Sequence, residues 1–447
     1  MRKDLSFKEL LVMGGGLFSM HFGAGCLLYP VTWGADAGSA VYAAYAGVFL
    51  SGIFLPWLGY LALANGRGNF VDLIRRAAPR FGLGFVAVLI LVLGPFFMLP
   101  RITAALWAGI VQLLGLHFES ALPELTFNVA MYVVAFAFVS SPGKVVERVG
   151  RVLFPVLLCI VTAVIVQSAV TPLAPRVPPV FAENPTVHGF LAAYAVGDLQ
   201  CALTYGLVLV HGIENAGIEK TRVSCNLLKI GVVGLSLLGL AHFGHMIAGA
   251  NTGGTIRLNL SATYVQMVVE LWGNIGGSIF LVALATASLT ATIGITSSTA
   301  SLWEKILHGR VPYRLICLLT CILACAVSLS GIDAIVNLLS PVIDACYPAT
   351  IVLALYYCVN RAPFSRHSLF ALACALIVST VFGAAGSLHS WVKLLGLDLP
   401  KFERLYAALP LSQWTMSWAP FAAVAFAAGW ICGPRQKADA RSVNEAE

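Results

Sequence analysis

Charge is the scarcest property of this sequence. Only 11% of its residues are Asp, Glu, Lys or Arg, while 59% are apolar and the mean hydropathy is +0.87. Soluble globular domains carry about 25% charged residues, so the composition excludes a soluble enzyme or a water-borne binding module. Low-complexity tracts are lacking too, and the 15 residues after Cys432 are too few to fold alone. There is no Gly-x-Ser-x-Gly elbow, His-Glu-x-x-His pair, phosphate loop or dinucleotide fingerprint, and therefore no motif on which to build an enzyme. A disulfide framework is excluded as well, because the 11 cysteines are odd in number and fall mostly in apolar runs, where a thiol acts as a small apolar residue. Cys317, Cys321 and Cys325 share one helical face, but no histidine or carboxylate accompanies them, so they read as packing and not as a soft-metal site.

What remains is long apolar runs. At about 20 apolar residues per crossing, spans are expected near 9–33, 40–64, 83–114, 124–140, 151–171, 188–213, 227–248, 272–302, 312–330, 336–358, 368–386 and 414–432. The fold class is an all-α polytopic membrane protein with about twelve transmembrane helices in a single domain, 1–447. The first run is longer than a signal core and passes through Tyr29-Pro30 without a small-residue cleavage site, so it is expected to stay in the mature chain. With both termini cytoplasmic, the inside segments hold 21 of the 27 lysines and arginines and the outer loops 5, Arg101 lying within a span. That bias follows the positive-inside rule. It accounts for the net charge of +7 without nucleic acid or an acidic partner.

Helical continuity is in doubt at three places. Phe22-Gly23-Ala24-Gly25-Cys26 interrupts the first span, and Ala195-Val196-Gly197-Asp198 the sixth, with Gly206 further along. Pro341 and Pro348 bracket Asp344 in the tenth. Bare backbone at membrane depth is viable where it lines a cavity or holds a ligand. If the array is halved into repeat one (about 9–171) and repeat two (about 188–358), with additional helices at about 368–432, the first span of each half is interrupted. Paired interruptions of this kind point to a midplane site, where half-helix N-termini attract a carboxylate and freed carbonyls hold a cation. The competing reading is that glycine only permits close helix packing.

Ionisable groups in spans are costly and mark function by default. Arg101, Asp198 and Asp344 qualify, and an Arg101–Asp198 ion pair is the expected arrangement. Among histidines, His21 adjoins the first break, ahead of His211, His242 and His245. The run Ala285 to Thr292 is rich in small hydroxyls that suit a cation or bond back to helix carbonyls. Phe22, Phe96, Phe97, Met98 and Tyr205 are candidate apolar walls.

Phe22-Gly23-Ala24-Gly25-Cys26-Leu27-Leu28-Tyr29-Pro30 resembles the first-span signature of the bacterial branched-chain amino acid:cation symporters. Gly94-Pro95-Phe96-Phe97-Met98-Leu99-Pro100-Arg101 resembles their third-span motif, Pro142-Gly143-Lys144 the loop before span five, and Tyr194 to Gly206 the sixth span. The resemblance implies a LeuT-type 5+5 inverted repeat with broken helices 1 and 6 plus two extra helices, in a bacterial inner membrane, importing leucine, isoleucine and valine with Na⁺ or H⁺. It implies substrate binding by Gly23, Ala24, Gly25, Cys26, Phe97, Arg101, Gly197, Asp198 and Tyr205. Cation binding or coupling would fall to the carbonyls of Ser19, Phe22 and Ala287 and to Thr290, with Ser288, Asp198 and Asp344 as further candidates. Two departures weaken a sodium site: Cys26 replaces the family's asparagine, and a thiol is a poor ligand for a hard cation, while Ala291 replaces a hydroxyl. No resident cofactor is expected beyond a bound Na⁺, nor any partner beyond the amino acid, the coupling cation and lipid, in a monomer or weak oligomer. Within transport another hydrophobic amino acid stays open as the substrate, because one pocket residue can reset discrimination between apolar side chains, and two other classes stay open. A membrane receptor or sensor would be expected to carry a soluble signalling domain, and a channel a repeated pore motif.

Overall fold

A computed structural model of the chain describes residues 2–116, 118, 120–139, 151, 153–256 and 260–434. The Pro142-Gly143-Lys144 segment lies outside them. Among the described residues the structure is helical, with no named strand and one isolated bridge, Arg2 to Ile218.

The first expected span is two helices, α1 (Phe7–His21) and α2 (Ala24–Ala37). Ser6 and Glu9 form a capping box that starts α1, satisfying N–H groups that a helix end leaves bare. The second span is α3 (Val41–Phe49) and α4 (Leu55–Gly66), joined by a π-turn. A short capped helix, α5 (Phe70–Ala77), leads to α6 (Pro79–Leu91) and α7 (Leu99–Leu114). Between α6 and α7 lies a second π-turn in which Gly94 leaves helical geometry (φ −79°, ψ −105°) beside Pro95. There follow α8 (Leu122–Val139), α9 (Phe154–Val170), α10 (Pro185–Tyr194), α11 (Asp198–Asn215) and α12 (Val223–Ala250). The remainder is α13 (Leu260–Ile306), α14 (Tyr313–Ser328), α15 (Ile332–Val359), α16 (Arg366–Leu394), α17 (Pro400–Ala407) and α18 (Trp418–Cys432).

Each expected span falls on a helix or a helix pair. Seven described helices are long and apolar enough to cross a membrane, eight counting the bent pair α10–α11, and Phe154–Val170, Tyr313–Ser328 and Trp418–Cys432 are shorter apolar helices. Between the expected spans the chain also forms α5, α17 and the first turns of α13, which kinks at Gly273 (φ 61°).

The expected break at Pro341 and Pro348 is absent, since α15 runs through both. Neighbouring side chains engage its carbonyls, as membrane-embedded prolines require. The Ser387 hydroxyl donates to Pro341, Trp391 donates to Leu338 at 3.1 Å, and Gln200 donates to Ile343 at 3.2 Å.

Two crossings are closed by glycine pairs. A Cβ on Gly34 of α2 would run into the Met246 carbonyl, and one on Gly249 of α12 into the Val31 carbonyl. Between α3 and α10 the same holds for Gly47 against Thr186 and Gly189 against Ala44. Backbones this close are the membrane substitute for a hydrophobic driving force.

Candidate functional site

The first break is Phe22-Gly23, a little upstream of the expected Gly23-Ala24-Gly25, because Ala24 already opens α2. Phe22 N–H closes α1 on the Phe18 carbonyl at 2.7 Å, and Gly23 N–H reaches the His21 carbonyl at 2.8 Å. Gly23 then stands extended (φ −82°, ψ −174°) as an N-cap without a side chain. The second break is Ala195-Val196-Gly197, where α10 and α11 bend by 42°. Gly197 adopts φ +82°, a left-handed conformation natural to glycine, and caps α11 with no side chain either. Gly206, by contrast, is helical and packs under Leu63.

The breaks meet through their flanking residues. His21 Nδ1 lies 3.4 Å from Asp198 Oδ1, and His21 Nε2 lies 3.0 Å from the Tyr60 hydroxyl on α4. Tyr205 donates to the Met20 carbonyl at 3.0 Å, and its ring meets His21 edge-on at 4.9 Å. All four side chains are buried. Asp198 opens α11, where the positive end of the helix dipole favours a carboxylate.

The expected Arg101–Asp198 pair is not formed. Asp198 is engaged by His21, while the Arg101 guanidinium lies 4.6 Å from the Phe97 ring centroid and 5.8 Å from that of Tyr29. Its Nη2 donates to Met98 Sδ at 3.2 Å. Arg101 lies in the first turn of α7 just after Pro100, against Phe97 of the preceding π-turn and Tyr29 of α2.

Arg101 nonetheless sits between the breaks. Its Nη2 is 3.7 Å from where a Gly25 Cβ would be, and Met98 Cε is 3.5 Å from the corresponding point on Gly197. Cys26 is buried within electrostatic range of both Asp198 and Arg101. The structure thus gathers Gly23, Ala24, Gly25, Cys26, Phe97, Arg101, Gly197, Asp198 and Tyr205 around one region.

The cation candidates are placed less uniformly. Ser19 and Phe22 end α1, and Ala287, Ser288 and Thr290 lie along α13; a Cβ on Gly23 would be 2.7 Å from the Ala291 Cβ. The Thr290 hydroxyl donates to the Ala287 carbonyl at 2.9 Å, so these two expected ligands are bonded to each other. Among the described residues the buried hydroxyls of Ser19, Ser288 and Thr292 have no partner. Asp344 stands apart from the His21 cluster, lining a cavity of about 790 Å³ with Tyr194, Ala195 and Tyr406.

Two participants escaped the sequence reading. Tyr60 is one tyrosine in an apolar run and carries no signal there. Gln200, whose Oε1 is buried without a partner among the described residues, was signalled only by being an amide two positions after Asp198.

A family model described as "Branched-chain amino acid transport protein" matches residues 6–436. The chain belongs to that family. It is 28% identical over 436 residues to the branched-chain amino acid permease BraB of Bacillus subtilis, covering 94% of each chain. It is 27% identical to the branched-chain amino acid transport system 2 carrier protein of Pseudomonas aeruginosa, covering 95% of this chain and 96% of that one. Members of this branched-chain amino acid transport family are named permeases and carriers, so the protein is a multi-pass membrane transporter and not an enzyme. Its fold resembles that of Mhp1, a nucleobase-cation-symport-1 family transporter in a closed conformation, at a TM-score of 0.58 and 14% identity, covering 98% of this chain and 96% of that one.

Proposed function

We propose that the protein carries leucine, isoleucine and valine into a bacterial cell across the cytoplasmic membrane, driven by a cation gradient, with both termini inside. The observation that carries the reading is the meeting of two broken helical elements around a buried polar cluster, within a chain of the branched-chain amino acid transport family. The substrate's zwitterion would lie against the helix ends of α2 and α11, with Phe97 and neighbouring apolar groups against its side chain.

The interruption of the first span and of the sixth, the leading span of each half, supports a 5+5 inverted repeat. The orientation is supported by the grouping of basic segments at one end: Asp4 reaches Arg222 and Lys229, and Lys305 reaches Asp72.

Both coupling ions have support. The unpartnered hydroxyls of Ser19 and Ser288 favour sodium, whereas the His21–Asp198–Tyr60 chain offers a site for a proton. The deciding experiment is uptake of radiolabelled leucine, isoleucine and valine into proteoliposomes under a sodium gradient and a pH gradient imposed separately. Uptake under either gradient supports the reading and names the ion. No saturable uptake under both overturns it.

A further inference from the structure

Among the described residues Arg101 is a buried cation without an anion. Its residue is only 8% exposed, its single hydrogen-bond acceptor is the Met98 thioether, and among the described residues no carboxylate lies within ion-pair distance. Its other neighbours are the faces of Phe97 and Tyr29. A guanidinium has five N–H donors in a planar fork, and a neutral sulfur is a weak acceptor for one of them. Burying such a group is costly unless something completes its pairing.

The space beside it is also short of negative charge. Nη2 is 3.7 Å from the Cβ direction of Gly25, in the first turn of α2, whose N-cap Gly23 supplies no side-chain acceptor. The first N–H groups of a helix and its dipole both favour an anion. Asp198, the carboxylate at the other break, is occupied by His21. Cation, uncapped helix start and aromatic flank therefore converge on one vacant role.

We propose that Arg101 is the counter-charge for the substrate's α-carboxylate, which it takes bidentately together with the first N–H groups of α2. This rests on the transport reading above and adds to it the substrate class: a free carboxylate is required, beside an apolar side chain that Phe97 and Tyr29 flank. An amide analogue keeps the shape and the amine but offers no anion to the fork.

The test compares L-leucine with L-leucinamide, which lacks the anion, and 4-methylpentanoate, which lacks the amine, as inhibitors of leucine uptake by the full chain in proteoliposomes. In the wild type, leucinamide should inhibit about ten- to hundredfold less well than leucine, the loss expected for a charge-assisted hydrogen bond. Arg101→Gln should weaken leucine by a similar factor while leaving leucinamide nearly unchanged, so that their ratio falls toward one. Arg101→Gln should by contrast weaken 4-methylpentanoate by the same factor as leucine, leaving the ratio of those two unchanged, because both carry the carboxylate. An R101Q protein that carries leucine with an unchanged leucinamide ratio overturns the proposal and leaves the transport reading standing. If R101Q fails to insert, Arg101→Lys decides, since it keeps a cation but not the fork. Weakened leucine with unaltered leucinamide then supports the proposal, and equal or absent change sinks it. A wild type that carries none of the three branched-chain amino acids sinks both readings.

Discussion

His21 binds three helices at once, touching Asp198 on α11 and Tyr60 on α4 from its seat at the end of α1. Groups that act as one buried unit have non-additive deletions. His21→Gln and Asp198→Asn should each cut leucine uptake sharply, and the double variant should be little worse than either alone; strictly multiplicative losses would show that the two act separately. Gly23 makes a sharper steric case. A methyl there would stand 2.7 Å from the Ala291 Cβ, and overpacking of this kind costs about 1–3 kcal/mol. Gly23→Ala should therefore lower thermal stability in detergent and reduce uptake, and adding Ala291→Gly should restore both. Of these residues, Gly23 and Asp198 were legible because a glycine cluster and a carboxylate are anomalous inside an apolar run. The partner of Asp198 was not, because nothing local in a sequence marks which of several buried histidines lies beside a carboxylate 177 positions away.

The helices themselves were legible through length and apolarity, and two of their breaks through glycine. The irregularities that were misjudged are those where tertiary neighbours decide the outcome. Two prolines in α15 read as a break, yet Ser387, Trp391 and Gln200 engage the carbonyls around them. Gly94 drew no such reading, yet it is where the chain leaves helical geometry and lies against Thr299. The tight crossings yield a prediction at this scale. Gly34→Ala or Gly189→Ala should abolish stable insertion, since the new atom meets a backbone carbonyl and not a movable side chain. Gly84→Ala in α6, with nothing within 4 Å of the added atom, should be neutral or stabilising by up to about 1 kcal/mol. Thermal unfolding of the solubilised variants reads both, and equal behaviour of the two classes would refute the packing argument.

For the molecule as a whole, the N-terminal segment is fastened across the chain. Arg2 N–H bonds to the Gly217 carbonyl and Glu219 N–H to the Arg2 carbonyl, each at 2.9 Å, while Asp4 accepts from Lys229 at 2.6 Å. The bond from Lys229 holds the Asp4 carboxyl below its usual range, so the contact is present at neutral pH and is lost only as the pH falls through the carboxylate range. Exposed pairs are individually weak. Asp4→Asn should accordingly raise hydrogen exchange several-fold in α1's first turns without unfolding the protein, and unchanged exchange there would reduce the fastening to ornament. The count of lysines and arginines gives the expectation that this end faces the cytoplasm.

The glycine crossings have a mechanical consequence. Where carbonyl meets carbon with no layer of side chains between, two helices cannot slide or tilt independently, so α2 with α12 and α3 with α10 behave as stiff struts. The partner halves rest differently: α11 bears on α4 through Leu63 and Leu199 side chains, and a Cβ on Gly234 of α12 would stand 2.9 Å from the Gly14 carbonyl of α1, a looser approach. With breaks at Phe22-Gly23 and Ala195-Val196-Gly197, α1 and α11 are the helices expected to move. Spin labels on α1 and α12 should then change separation during turnover, while a pair on α2 and α12 keeps one distance throughout.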